Sequence, residues 1–178
     1  MKVTQTKING SVIIEPKVFG DKRGFFLESF QDKKYKELAG IDYSFVQDNH
    51  SRSEKGVLRG LHLQKLKPQG KLVRVVRGEV FDVAVDLRKN SNTFGLWHSE
   101  ILSEDNNKQF WIPPGLAHGF LVLSDVADFE YKVTDYYDPT DEVCIKWNDP
   151  SLDIPWPISN PSLSKKDKEG IYLEELNL

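Results

Sequence analysis

The residue types that could do chemistry in this chain are a histidine, two cations and a phenol. His62 lies in a short β-like span with Arg59 and Lys71, and Tyr131 lies in a later run of alternating apolar residues. An imidazole, with an unperturbed pKa of ~6.5, can take a proton near neutral pH. A cation can stabilise the enolate oxygen that then forms, and a phenol can return a proton from the other face. These residues predict proton transfer beside a carbonyl; the alternative for His62 alone is a hydrogen-bonded core histidine.

Two strands are predicted to carry part of this set. In residues 71–88, Val73 and Val75 alternate with Arg74, and a second alternating run follows Gly78. A period of two on both sides of a glycine indicates two strands joined by a turn or bulge.

Most of the remaining chain has the same character. Short β-like runs are separated by Gly, Pro, Asn and Asp, and they occupy residues 11–14, 25–30, 95–102, 109–112, 118–123, 129–134 and 143–147. Helix is predicted only over 32–39 and 162–169, and the proline-dense residues 149–161 are predicted to be extended. Many short strands with regular breaks predict an all-β fold, a sandwich or barrel with a few short helices.

Composition excludes several classes of protein. The 178 residues fit a single domain over 1–178, with 39% hydrophobic and 29% charged residues. No apolar run is long enough for a membrane span, and no signal peptide is visible, so we expect a cytoplasmic protein without a membrane partner. The net charge of −3, without blocks of like charge, argues against nucleic acid. No dinucleotide fingerprint occurs, and Cys144, the single cysteine, is interpreted as a packed side chain.

Two stretches resemble the paired motifs of the cupin jelly roll. Gly56 precedes His62 by six residues, and the segment PPGLAH ends at His118. Metal-binding cupins use three histidines and a carboxylate, but Gln64 stands where the second histidine belongs, and residues 68–70 provide no acid. Two imidazoles and two amides make a poor site for Zn, Fe or Mn. We therefore expect no functional metal, and a metal-dependent cupin remains the less favoured alternative.

Longer stretches resemble the dTDP-4-dehydrorhamnose 3,5-epimerase family across essentially the whole chain. They are GDKRGFFLESF, FVQDNHSRSEKGVLRGLHLQ, QGKLVRVVRGEVFDVAVDLR, SNTFG, FWIPPGLAHGF, YKVTDYY and LSKKD. The resemblance implies a cupin-type jelly roll, no cofactor, a dTDP-4-keto-6-deoxyhexose substrate, and a homodimer that exchanges a strand or N-terminal residues.

The resemblance also implies catalytic roles. His62 matches the base that takes protons from C3 and C5 of the sugar, and Asp167 the carboxylate that orients it. Lys71 would face the C4 oxygen, and Tyr131 resembles the acid that reprotonates C5. From composition alone, Asp167 would belong to a solvated charged segment, and Tyr131 would be an ordinary barrel aromatic.

Further positions match substrate contacts of the family. Arg23, Arg59 and Lys166 would meet the diphosphate, although Lys165 or Lys168 could replace Lys166. Tyr137 would stack on the thymine, unless it is a barrel aromatic, and Arg23 and Glu28 could instead form a surface pair. The remaining substrate-contacting positions are Glu28, Gln47, Asn49, His118 and Glu142.

Three other functions stay open at this point. A 3-only or 5-only epimerase of another dTDP-4-keto-6-deoxysugar would use the same chemistry. A metal-dependent cupin or a sugar-binding cupin without activity would not. His50 and His98 are interpreted as structural or surface residues.

Overall fold

The strands form a sandwich of two antiparallel sheets in the computed structural model, which describes residues 1–177. The strands are β1 (Lys2–Gln5), β2 (Val12–Glu15), β3 (Val18–Asp21), β4 (Gly24–Leu27), β5 (Gln47–Glu54), β6 (Leu58–Gln64), β7 (Lys71–Arg77), β8 (Glu79–Asp86), β9 (Trp97–Ser103), β10 (Gln109–Ile112), β11 (Leu116–Val122), β12 (Val126–Val133) and β13 (Glu142–Cys144). Three short helical segments complete the described chain: α1 (Asp32–Ala39), α2 (Lys165–Lys168) and a 3-10 turn (Leu173–Glu175).

The larger sheet has six strands in the order β1-β2-β10-β7-β12-β5, and the second has five in the order β13-β6-β11-β8-β9. Strands β3 and β4 pair only with each other as a hairpin. Two facing antiparallel sheets of this size are the arrangement of a jelly roll. The all-β prediction is confirmed.

The main core lies between the two sheets, because alternate residues of each strand point inward. Val73 and Val75 of β7 meet Val80 and Ala84 of β8 there, and Phe129 of β12 belongs to the same buried cluster. The site residues described below also face the space between the two sheets.

The outer face of the five-stranded sheet is also buried. Val83 and Val85 of β8 pack there against the C-terminal segment, which contributes Leu152 and Trp156. The proline-dense residues 149–161 contain neither helix nor strand, as predicted. This segment therefore seals the second sheet and returns the chain to the end of β6.

Helix α1 covers the outer face of the six-stranded sheet, where Tyr35 is buried against Trp111 and Leu72. Its N-cap Gln31 accepts a hydrogen bond from the Lys34 amide, and Gly40 ends it with φ of 70°. The prediction of helix over 32–39 is confirmed. The prediction over 162–169 is too long, since α2 has only four residues. None of the helices within residues 1–177 is long and apolar enough to cross a bilayer.

Candidate active site

A cleft of about 690 Å³ opens between the two sheets, toward the side where β5 and β13 are the edge strands. Eleven of the thirteen predicted site residues line it. The lining includes Gln47, Asn49, Arg59, His62, Lys71, His118, Tyr131, Tyr137, Glu142, Lys166 and Asp167. All four predicted catalytic residues are among them, so residues distant in sequence converge in one place.

The two other predicted residues, Arg23 and Glu28, do not line the cleft. Arg23 and Glu28 lie on or beside the exposed β3–β4 hairpin instead. Arg23 bonds Asp21, and Glu28 bonds Lys34, so the surface pair suggested between Arg23 and Glu28 does not form.

His62 and Asp167 form a hydrogen-bonded pair inside the cleft, with 2.6 Å between Nε2 and Oδ1. The other oxygen of Asp167 accepts a hydrogen bond from Ser164, 2.6 Å away, and Ser164 caps α2. Burial would raise the pKa of Asp167, but the hydrogen bonds from His62 and Ser164 outweigh it and lower the pKa to about 2. An ionised Asp167 holds the proton of His62 on Nε2 and leaves Nδ1 as the basic nitrogen.

A bulge in β6 places both Arg59 and His62 on the cleft side, although their spacing of three residues would put them on opposite faces of a regular strand. Arg59 pairs with Phe120 and His62 with His118, so two residues of β6 oppose Gly119 alone. Gly60 has φ of 124°, and a Cβ built on it would lie 2.5 Å from the Cα of Gly119. Only glycine fits this close approach.

Tyr131 faces His62 from the other sheet. It lies on β12, paired with Asn49 of β5 and Val73 of β7, whereas His62 lies on β6 of the five-stranded sheet. Burial raises the pKa of Tyr131, and the Glu142 carboxylate adds to this effect. The phenol therefore keeps its proton at neutral pH and is able to donate it.

Lys71 is a buried cation that bridges the sheets. Its Nζ donates to the backbone oxygen of His62 at 3.4 Å, and only 8% of the residue is exposed. Desolvation by burial lowers the pKa of Lys71 to about 8, although the carboxylates of Glu142 and Asp82 oppose the shift. A poorly solvated ammonium of this kind strongly favours a negative charge placed beside it.

Glu142 connects the groups at the mouth of the cleft. Its Oε2 accepts hydrogen bonds from Lys166 and from the Tyr137 hydroxyl, and its Oε1 lies 3.8 Å from Nδ1 of His62. Of the three lysines considered for this position, Lys166 alone lines the cleft; Lys165 instead lies 3.9 Å from Glu169 on the surface.

The other predicted contacts are held by short local bonds. Arg59 donates to Ser53 Oγ at 2.9 and 3.0 Å. Gln47 donates to Asn49 and accepts from the Tyr137 amide, which fixes one side of the entrance. His118 lies deeper, with its Nε2 2.9 Å from Asp82.

The residues at the cupin metal positions do not fit a metal ion. Both ends of the Gln64 side chain are engaged, Nε2 by the Lys67 carbonyl and Oε1 by the Asp138 amide. One trio of potential ligands, His62, Cys144 and Asp167, has its donor atoms within 4.8 Å of one another. Burial raises the pKa of the Cys144 thiol to about 12, so it is protonated, and the other two are already paired. Neither set of residues therefore provides a metal site.

Sequence reasoning missed several residues that support the site. Ser164 stands three residues before Asp167, the spacing of an N-cap box, and this signal was available. Asp82 could be found only by working out which alternate residues of β8 point between the sheets. The glycines at the bulge, Gly60 and Gly119, could be found only from the pairing of β6 with β11.

Comparison with known proteins gives a consistent result. The sequence matches the family described as dTDP-4-dehydrorhamnose 3,5-epimerase over residues 5–175. The Pseudomonas aeruginosa protein of that name is 57% identical, with 96% of this chain and 94% of the relative covered. The Escherichia coli protein of the same name is 54% identical, with 99% and 96% covered.

Solved structures agree. A dTDP-6-deoxy-D-glucose-3,5-epimerase from Legionella pneumophila, in complex with dTDP-4-keto-L-rhamnose, has a TM-score of 0.96 and 57% identity, with 99% of this chain and 94% of that chain covered. A 3'-monoepimerase from Streptomyces bikiniensis, in complex with dTDP-quinovose, has a TM-score of 0.89 and 32% identity, with 95% and 86% covered. The fold and the sequence thus point to the same group of enzymes.

Proposed function

Since this chain belongs to the dTDP-4-dehydrorhamnose 3,5-epimerase family, we propose that it inverts C3 and C5 of dTDP-4-dehydro-6-deoxy-D-glucose to give dTDP-4-dehydro-L-rhamnose. The enzyme is an isomerase. The observation that carries the mechanism is the placement of the His62–Asp167 pair and Tyr131 on opposite walls of one cleft.

His62 is the base in this mechanism. The C4 carbonyl acidifies the hydrogens of both its neighbours, C3 and C5, so one imidazole can serve both carbons if the sugar presents each in turn. Nδ1 accepts the proton, while Asp167 holds Nε2 and stabilises the imidazolium that results.

Lys71 stabilises the intermediate. Removal of either proton shifts negative charge onto the C4 oxygen and forms an enolate. The buried ammonium of Lys71 projects into the same cleft, and its low solvation strengthens its attraction for that oxygen.

Tyr131 completes the inversion. Its phenol donates a proton to C5 on the face opposite His62, which collapses the enolate back to the ketone with inverted configuration at that carbon. Tyr131 must then regain a proton and His62 must lose one before the next cycle, so solvent hydrogen enters the product.

The nucleotide would lie toward the mouth of the cleft. Arg59 and Lys166 are cations that line it and suit the diphosphate, and the half-exposed ring of Tyr137 is available to stack on thymine. Gln47, Asn49, Glu142 and His118 supply the polar contacts between these groups and the base.

A homodimer would complete each site. Phe25 and Phe26 of the β3–β4 hairpin are 66% and 68% exposed, and Arg23 and Glu28 beside them do not reach the cleft of their own chain. Exchange of this hairpin between two subunits would cover the phenylalanines and bring Arg23 and Glu28 to the partner's diphosphate. We place the enzyme in the cytoplasm, where sugar nucleotides are made.

Proton NMR with dTDP-4-dehydro-6-deoxy-D-glucose in deuterated water tests this function. We expect deuterium at both C3 and C5 without added metal or nucleotide cofactor. Exchange at C3 alone would instead assign the activity of the 3'-monoepimerase relative. Binding without any exchange would leave a sugar-nucleotide receptor and refute the proposal.

A further inference from the structure

A second histidine–carboxylate pair faces the same cleft. Nε2 of His118 lies 2.9 Å from Oδ2 and 3.1 Å from Oδ1 of Asp82. The two residues come from the neighbouring strands β11 and β8, and His118 is also the direct register partner of His62 on β6. The proposed mechanism uses His118 as a contact and gives Asp82 no role.

Asp82 is a carboxylate that water does not reach. Its residue is 0% exposed, and among residues 1–177 the hydrogen bonds to its carboxylate come from His118 alone. A buried carboxylate without a donor is strongly unfavourable, so Asp82 requires a proton on Nε2 of His118. The ring cannot turn away easily, because it stacks on Phe129 with 5.9 Å between centroids and 25° between planes.

Burial is the main reason that His118 stays neutral. Burial lowers the pKa of His118, Lys71 and His62 lower it further, and Asp82 opposes them. A neutral imidazole with its proton on Nε2 has a lone pair on Nδ1. The ring nitrogen that remains for the cleft is thus an acceptor.

We propose that Asp82 is a positioning residue that fixes the tautomer of His118, so that His118 accepts a hydrogen bond from a hydroxyl of the bound sugar. His118 then differs from Lys71, which can only donate. The pair orients the sugar ring beside His62 and takes no proton from carbon. The part of this inference that concerns the sugar rests on the proposed function; the tautomer does not.

The tautomer can be measured in the wild-type protein. The chain has four histidines, and the signals of His118 in a long-range ¹H–¹⁵N spectrum are identified as those lost in His118→Gln. We expect the neutral form protonated on Nε2. A neutral form protonated on Nδ1 would overturn the inference without any change at Asp82.

A substitution tests the consequence for binding. Asp82→Asn offers an amide that can donate to Nε2 and so favours the opposite tautomer, as an Asp-to-Asn change does in a catalytic triad. We expect dTDP-glucose, an unreactive sugar nucleotide, to bind about tenfold more weakly by calorimetry, the loss of roughly one hydrogen bond. Binding of dTDP, which lacks the sugar, should stay within twofold.

Asp86→Asn is the matched control. Asp86 lies on the same strand and is equally buried, but its partners are Arg88, Ser91 and Thr93, away from the cleft. We expect it to lower stability and to leave both affinities and the His118 tautomer unchanged.

Two results would refute the role of Asp82: an equal loss of dTDP and dTDP-glucose affinity, or an unchanged affinity for both. If Asp82→Asn does not fold, the wild-type tautomer decides. Absence of hydrogen exchange at C3 and C5 in the wild-type protein would refute the proposed reaction, but it would not affect the tautomer result.

Discussion

His62 and Tyr131 project into one cleft from opposite sheets of the sandwich, the first from β6 and the second from β12. Strands β6 and β12 belong to different sheets and do not pair with each other. The distance between the base and the acid is therefore set by the spacing of the two sheets. Inversion at carbon needs a proton to leave on one side and another to arrive on the opposite side, and this architecture provides both sides.

Removal of the base should stop both exchanges. In His62→Asn we expect at least a 1,000-fold loss of deuterium incorporation at C3 and at C5, because one imidazole serves both carbons. Affinity for dTDP should stay within about threefold, since the base contacts the sugar. His50→Ala, a change on the outer face of the sheet, is the control and should keep full activity. Retained turnover in His62→Asn would exclude it as the base.

Removal of the phenol should separate the two halves of the reaction. Tyr131→Phe leaves His62 able to take protons, so we expect exchange to persist at C3 while inversion at C5 falls by about 100-fold. Product configuration by NMR measures this directly. Tyr136→Phe, a neighbouring exposed tyrosine, is the control. An unchanged product ratio in Tyr131→Phe would make that residue structural.

Lys71 should limit activity at high pH and also cost stability. Its charge is lost as pH rises through about 8, so we expect kcat to fall above that pH in wild type. In the unfolded chain the pKa of Lys71 returns to about 10.5. Below pH 8 the charged lysine therefore lowers the free energy of unfolding, and this penalty shrinks as the pH rises from 8 to 10.5.

Lys71→Met removes that penalty. We expect it to raise the free energy of unfolding at pH 7 by about 3 kcal/mol, as follows from a pKa shift of this size, while kcat drops by at least 100-fold. Urea denaturation and steady-state kinetics measure the two effects. A variant that is both less stable and fully active would contradict the assignment.

Mixing two inactive variants tests the exchanged hairpin. Arg23→Ala and His62→Asn damage different parts of the site, so a mixed dimer contains one site with both an intact base and an intact hairpin. We expect co-refolded equal mixtures to recover about a quarter of wild-type activity by simple statistics. Mixtures as inactive as either parent would show that each site is built from one chain.

The bulge glycine can be tested against a glycine of similar conformation. Gly60 and Gly24 have φ of 124° and 129°, but a Cβ at Gly60 would meet the backbone of Gly119, whereas nothing lies within 4 Å of one at Gly24. We expect Gly24→Ala to cost about 1 kcal/mol of unfolding free energy, the strain of φ alone. Gly60→Ala should cost about 3 kcal/mol or more. Equal costs would refute the steric role.

Much of the fold was predictable because inward and outward residues alternate. The two strands on either side of Gly78 and the helix over 32–39 follow from local pattern. Strand β5 does not, because its sequence QDNHSRSE has no apolar periodicity and is held by pairing with β12 along its whole length. Tertiary pairing overrides local preference at such edge strands.

The site was predictable only as far as motifs reach. The match to LSKKD predicted Asp167 as the partner of His62, whereas no local pattern could do so, because the contact depends on the path of the C-terminal segment around the second sheet. Asp82 carries no motif at all. Its importance arises from burial beside His118, which only the three-dimensional packing reveals.

The position of that C-terminal segment in the chain also determines when the catalytic pair is completed during translation. His62 and Asp167 are 105 residues apart in the chain, and a ribosome adding 5–20 residues per second needs roughly 5–20 s to cover that interval. Until then, the nascent barrel has its base without the carboxylate that orients it. The catalytic pair therefore forms only after the strands that carry the base and the acid have been made, so activity reports that translation has passed Asp167.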